Sequence, residues 1–292
     1  MNDATAATKS AIGRYGVWTT LLRPDGPASA GERAEAAAEL EELGFGALWL
    51  GGNSSAGHAA PLLAATGRIT VGTSIQSVWE HPAPAAAADF AGLEATHPGR
   101  FLLGLGVSHG PRVAGYGRPY ATMTGHLDAL DREGVPAERR VLAALGPRML
   151  ELARDRATGA IPYLVTPEHT AEARGILGAG PLLAPELKAV LETDPGRARA
   201  TARAALARYL ELPNYTRNFL RLGFTEDDLD GGGSDRLIDA VFAWGDERAV
   251  RERVAVFHAA GADHVAVQLV EEDGAAGLPR EGWRRLAAAL LG

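Results

Sequence analysis

Eight short apolar runs recur along the chain, most of them followed by a helical pattern. This alternation limits the fold more than any other feature. The runs are Arg14–Thr19, Gly46–Gly51, Ile69–Gln76, Phe101–Val107, Arg140–Leu145, Ala160–Val165, Leu187–Glu192 and His264–Val270. Between them, SAGERAEAAAELEELG has a capping serine at Ser29 and a stop at Gly44, and GPRMLELARDRATG and PEHTAEARGILG each begin beside a proline and end at a glycine. Strands that alternate with helices form a parallel sheet buried on both faces. Eight such units in 292 residues fit a closed (β/α)8 TIM barrel better than an open doubly wound sheet. Residues 213–244, between the seventh and eighth runs, read as helices broken by the turn DGGGSD. They are expected to be a helical insertion within a single domain spanning 1–292. Residues 1–11 carry no apolar segment and are expected to be a flexible tail, not a signal peptide.

Composition excludes several function classes. There are no cysteines, so disulfides, thiolate metal sites and cysteine nucleophiles are ruled out, and a reducing cytoplasm is the expected location. A net charge of -7 argues against nucleic acid and membrane surfaces as partners. No H-E-x-x-H motif or paired histidine spacing suggests a metal, so none is expected. The acidic cluster Glu226, Asp227, Asp228 and Asp230 lacks the calcium-loop pattern and reads as a solvated face.

The stretch RFLLGLGVSHG, Arg100 to Gly110, admits three readings. A dinucleotide loop needs G-x-G-x-x-G opening into a helix. Here the third glycine, Gly110, comes one residue late, and Pro111 and Gly115 follow. A nucleophile elbow needs G-x-S-x-G, which the residues around Ser108 do not supply. What remains is a buried strand end that lets something approach its backbone, at the C-terminal face where barrel active sites form. Tight strand packing explains Gly104 as well as ligand access does, and Gly106 less well.

Taken together, ELEELGFGALWLGG, ITVGTSIQSVWEHPAPAAAADFAGLEATHPGRFLLGLGVSHG, LAALGPRMLELARDRATGAIPYLVTPEHTAEAR, LPNYTRNFLRLGF and AGADHVAVQLV resemble the luciferase-like oxidoreductases, the bacterial luciferase superfamily. They are most similar to its actinobacterial branch, which uses the deazaflavin coenzyme F-420. The resemblance spans nearly the whole chain. It implies hydride transfer between coenzyme F-420 and a small organic substrate, in a barrel that forms a homodimer. It also implies a cis peptide at Ser74–Ile75 beneath the ring system, with Gln76 next to it. Gly52 would border the cofactor, and Gly106, Val107 and Ser108 would flank its ring. Leu145, Gly146 and Pro147 would meet the phosphate-bearing tail at a helix N-terminus, where free amides and the helix dipole favour an anion. Arg148 and Arg112 could add charge there.

The chain departs from the family at the end of the second run. Many relatives carry an acidic residue and a histidine there, whereas this chain has Gly52 and Asn53. Asn53 could hydrogen-bond at the reacting face but cannot shuttle a proton. His109 stands where relatives place an acidic residue, and its imidazole suits acid–base work near neutrality. His58 is the second candidate. The aromatics Trp18 and Trp79 could line a flat-ligand pocket or pack the core edge. His81, His97, His169 and His264 read as structural. Three alternatives stay open: an FMN-dependent monooxygenase, a non-catalytic flavin- or deazaflavin-binding barrel, and a sugar-phosphate enzyme using LGPRML.

Overall fold

Side chains that cap the helix starts set much of the local structure. Ser29 accepts from the Glu32 N–H while the Glu32 carboxylate accepts from the Ser29 N–H, a reciprocal box, and Thr166, Asp194, Ser234 and Asp246 cap later helices. The computed structural model describes residues 3–110, 116–272 and 277–292. Its strands are β1 (Tyr15–Thr19), β2 (Ala47–Gly51), β3 (Thr70–Ser74), β4 (Gln76–Ser77), β5 (Phe101–Gly106), β6 (Arg140–Leu142), β7 (Gly159–Ala160), β8 (Leu182–Leu183), β9 (Glu186–Val190), β10 (Phe242–Trp244) and β11 (Val265–Leu269). Its helices are α1 (Asp3–Ile12), α2 (Ala30–Glu42), α3 (Ala56–Ala64), α4 (Ala83–Thr96), α5 (Pro119–Arg132), α6 (Pro147–Arg156), α7 (Pro167–Leu177), α8 (Pro195–Leu210), α9 (Pro213–Arg221), α10 (Glu226–Leu229), α11 (Asp235–Val241), α12 (Glu247–Ala259) and α13 (Arg280–Leu291). Among the described residues no helix is long and apolar enough to cross a membrane.

Among the described residues all strand pairs are parallel, and the sheet runs in the order β10-β9-β11-β1-β2-β3-β5-β6-β7-β8. Only Ala184 and Pro185 separate β8 from β9, so the path returns on itself. The Ala184 N–H donates to Ala160 O at 2.9 Å, and the Ala266 N–H donates to Pro185 O at 3.0 Å. The ring therefore closes as a TIM barrel.

Alternate residues fill the inside and the outside. Leu48, Leu50, Val71, Leu103, Leu105, Leu187 and Val267 join the apolar layer beneath the helices, while Ala47, Trp49, Leu102, Val141, Ile161, Leu182 and Ala266 form a separate inner cluster. Two large indoles occupy that interior, and neighbouring strands make room with glycine. A Cβ at Gly72 would lie 2.5 Å from the Trp49 ring, and one at Gly51 would overlap the Trp18 ring. His264 completes the floor: its Nε2 accepts from Trp49 Nε1 at 3.0 Å, and its Nδ1 meets Gly13 O at 2.9 Å.

Three sequence expectations change. Residues 3–12 are not a flexible tail. They form α1, which buries Thr5, Thr8 and Ile12 and is tied by a 3.1 Å Lys9–Asp263 ion pair. The 213–244 insertion is not wholly helical: its last three residues form β10 along β9, so the excursion ends by widening the sheet. The sixth run stops as a strand at Ala160, because Leu164 turns into the left-handed region at φ 55.

Candidate active site

Strand β3 ends in a deliberate break. The Ser74–Ile75 peptide is cis, as the family resemblance implied, and β4 resumes beside β5. The Ile75 N–H donates to Gly52 O, and Ile75 O accepts from the Ser54 N–H, both at 2.9 Å. Asn53 braces the same segment. Its Oδ1 accepts from the Ser77 N–H at 2.8 Å, and its Nδ2 donates to Glu80 at 2.6 Å. Ser74 Oγ accepts from Trp18 Nε1 at 2.9 Å. Ser74 and Ile75 keep accessible surface, while Thr73, Gln76 and Ser77 are buried.

Both glycines of the GLG stretch are explained by this break. A Cβ at Gly104 would fall on the carbonyl oxygen of Thr73, and one at Gly106 would lie 2.7 Å from Ile75 Cγ1. Gly106 thus makes room for the Ile75 side chain, and only through Ile75 for anything above it. The Gln76 carboxamide is buried, and among the described residues neither its oxygen nor its nitrogen has a hydrogen-bond partner.

After β5, Val107 O accepts from Trp79 Nε1 at 2.7 Å, and Ser108 sits at φ 55, a costly conformation for a residue with a side chain. This turn delivers His109 to the insertion: its Nδ1 lies 3.0 Å from Asn214 Oδ1, and its ring packs on Tyr215 at 5.4 Å. An amide oxygen only accepts, so Nδ1 is the donor in this contact. His58 caps α3, and its pKa is lowered by burial and by Arg23. Pro111, Arg112 and Gly115 lie outside the described residues. Leu145 O accepts from His169 Nε2 at 2.8 Å, which fixes the turn before α6. Gly146 and Pro147 open that helix without a side-chain cap, and the Arg148 guanidinium rests 4.3 Å from the Tyr120 ring centroid. His169, expected beside charged neighbours, is fully buried, and burial lowers its pKa.

The opposite side of the mouth carries a polar cluster that the sequence reading missed. Glu186 and Lys188, two residues apart on β9, are both buried and bond at 2.9 Å. The ammonium lies 3.8 Å from the Tyr163 ring centroid. Glu186 Oε2 also accepts from the Leu164 N–H at 3.3 Å, holding the left-handed turn that presents Tyr163. Tyr163 packs on Trp18 at 5.1 Å, bonds Tyr209 at 2.7 Å and donates to Gln268 Oε1 at 3.1 Å. Burial raises the Glu186 carboxyl, with Lys188 opposing, and burial raises the Tyr163 phenol well above its usual range. The signal that could have found this cluster was the E-L-K alternation in a strand expected to be apolar on both faces.

Within the acidic cluster of the insertion, Asp228 acts as a helix cap. Asp228 accepts from the Thr225 N–H, Ser234 Oγ and Arg236, and these bonds hold its pKa down at about 2. Among the described residues no group of His, Asp or Glu side chains could hold a metal ion. A cavity of about 560 Å3 opens at the opposite, N-terminal face among Arg14, Tyr15, Gly46 and Ile69, while one of about 180 Å3 opens at the C-terminal ends of β1 and β11. Size alone would choose the wrong end, because barrel chemistry sits at the C-terminal face.

The luciferase-like monooxygenase family model matches residues 14–132, from β1 through α5, which includes the cis-peptide break and the GLG strand. No curated protein matches the chain. Solved structures share its fold over nearly their whole length. One is an F420-dependent secondary alcohol dehydrogenase in complex with an F420-acetone adduct (TM-score 0.72, 13% identity, 96% of this chain and 98% of that one). A second is the coenzyme F420-dependent tetrahydromethanopterin reductase from Methanopyrus kandleri (0.70, 16%, 96% and 99%). A third is the FMN complex of the oxygenating constituent of 3,6-diketocamphane monooxygenase from Pseudomonas putida (0.68, 15%, 95% and 98%). The barrel thus brings Ile75, Gln76 and Gly106 together on one side of its mouth and Tyr163, Lys188 and Gln268 on the other. His109 and the insertion meet at the loop ends.

Proposed function

We propose that the chain is an oxidoreductase that transfers a hydride between coenzyme F-420 and a small organic substrate. The observation that carries this reading is the rim at β3. Ile75 offers apolar surface clamped by two backbone bonds, beside a buried Gln76 amide with an unused donor and an unused acceptor. A flat heterocycle bearing both C=O and N–H groups would satisfy that amide, which otherwise leaves two polar atoms unpaired at a cost of about 1–3 kcal/mol each. The residues present fit the group. The F420-dependent names of two neighbours of the same fold favour the deazaflavin over FMN.

When bound, the deazaflavin would supply a carbon centre that gives or takes a hydride. The chain's part is to hold and protonate. Ile75, Gln76 and Gly106 would support the ring, with Gly52, Ser74, Val107 and Ser108 bordering it. The turn at Leu145, Gly146 and Pro147 would meet the tail. His109 would move the matching proton, with Asn214 holding its ring in place. Asn53 acts through Ser77 as a positioning residue.

The test is single-turnover oxidation of reduced F-420 with a panel of small ketones across pH 5–9. His109→Gln should lower the rate about 10²–10⁴-fold and remove a limb near neutrality, the usual consequence of losing a general acid or base. Unchanged rates and pH profile in His109→Gln would place the proton source in solvent. No turnover with any carbonyl substrate, together with oxygen uptake in the presence of FMN, would overturn the whole reading.

A further inference from the structure

We propose that the 180 Å3 cavity between the C-terminal ends of β1 and β11 is a preformed pocket for a small neutral molecule bearing one hydrogen-bond-accepting oxygen, such as a ketone, and that the Gln268 amide nitrogen recognises that oxygen. The ligand class deepens, and rests on, the oxidoreductase reading above.

The walls define the ligand's size and charge. Trp18, Leu21, Leu269, Val270 and Trp283 line the cavity, and among the described lining residues none is charged. An ionic ligand would lose its hydration without gaining a counter-charge. A cavity of about 150 Å3 is large enough for benzene, so the volume of this one suits a six-membered ring with one substituent, with Thr19 and Thr20 beside Gln268 among its walls. Trp18 is shared with the rim, since its indole N–H donates to Ser74 Oγ next to Ile75.

A chain of hydrogen bonds sets the polarity of the pocket's polar end. Arg208 Nη2 donates to Tyr209 Oη at 2.9 Å, and a guanidinium can only donate. Tyr163 has one hydroxyl proton and donates it to Gln268 Oε1 at 3.1 Å, so in the 2.7 Å contact between the two phenols Tyr209 is the donor. Every link points the same way, so the amide oxygen is committed to the tyrosine and the amide nitrogen is left as the donor at the pocket. Among the described residues Gln268 Nε2 has no hydrogen-bond partner. Tyr163 and Tyr209 are therefore positioning residues, and Gln268 is the recognising one.

The experiment titrates the purified full-length chain, without added cofactor, with cyclohexanone, methylenecyclohexane and cyclohexanecarboxylate. Tryptophan fluorescence reports on Trp18 and Trp283, and saturation-transfer NMR reports on the ligand. Gln268→Met should weaken cyclohexanone about fivefold, the value of one net hydrogen bond, and leave the shape-matched methylenecyclohexane within about twofold. Tyr163→Phe should weaken cyclohexanone about twofold, again sparing methylenecyclohexane, because the amide loses its fixed orientation. A variant that merely disturbed packing would weaken both ligands alike and so contradict the proposal. Equal cyclohexanone affinity in wild type and Gln268→Met, no binding to wild type, or tighter binding of the carboxylate would each overturn it. A parallel F-420 titration separates the two levels. F-420 binding without cyclohexanone binding removes the pocket and leaves the oxidoreductase reading, whereas the reverse removes that reading and leaves the pocket.

Discussion

The two sides of the barrel mouth are built on different physics. On the β3–β5 side, short-range geometry does the shaping: a cis peptide, two glycines and a bracing asparagine, all within residues 52–106. On the β7–β11 side, long-range polar contacts do it: Glu186 holds Leu164, Tyr163 reaches Gln268 105 residues away, and Tyr209 joins from α8. The first side is a surface with apolar Ile75 accessible. The second is a buried network in which each group depends on its partner. Loss of one atom should therefore be local on the first side and far-reaching on the second.

The largest expected effect follows from the buried ion pair. Lys188→Met strands the Glu186 carboxylate and should cost about 3–5 kcal/mol in chemical denaturation, whereas Glu186→Gln/Lys188→Met should recover most of that loss. The deficit should also depend on pH. Burial already raises the Glu186 pKa above its ordinary 4.5, and losing Lys188 raises it further. Between 4.5 and that raised value the folded variant holds a proton that the unfolded chain has released, so its stability rises as pH falls. The single-variant deficit should shrink on acidification towards pH 4.5. A deficit that is constant with pH, or a double variant no better than the single, would show that the network is not organised by charge.

Next come the glycines. Gly104→Ala places a methyl against a backbone oxygen that cannot move and should cost about 3 kcal/mol, while Gly106→Ala meets only the Ile75 side chain and should cost about 1 kcal/mol. Equal losses would contradict the assignment of the two glycines to different neighbours. The smallest effect should be Asn53→Ala, which removes the acceptor of the Ser77 N–H. About 1–2 kcal/mol is expected, with F-420 affinity weakened by the looser rim. Unchanged stability together with lost turnover would instead return Asn53 to the reacting face.

The sequence made the first side legible because its information is local. Alternating runs predict the barrel, and the glycines of GLG mark a close approach within a few residues. The identity of what approaches was not legible: Gly106 faces Ile75, which comes from β3, and only register shows that. The second side was obscure because Tyr163, Lys188 and Gln268 stand on separate elements. The E-L-K alternation in β9 was the one local clue, two charges on one face of a strand that should be apolar. The N-terminal segment was misread for a related reason. Its helix has little apolar surface and is fixed by Lys9 reaching Asp263, a contact 254 residues distant.

The proposal that the β3 rim of this barrel holds a deazaflavin is tested most directly by titrating the purified chain with oxidised F-420 and with FMN, following cofactor fluorescence. F-420 should bind at least about tenfold tighter, a difference of about 1.4 kcal/mol. Gln76→Leu, which removes the unpartnered amide, should erase most of that affinity while the chain stays folded. FMN binding tenfold tighter than F-420, or F-420 affinity unchanged in Gln76→Leu, would contradict it.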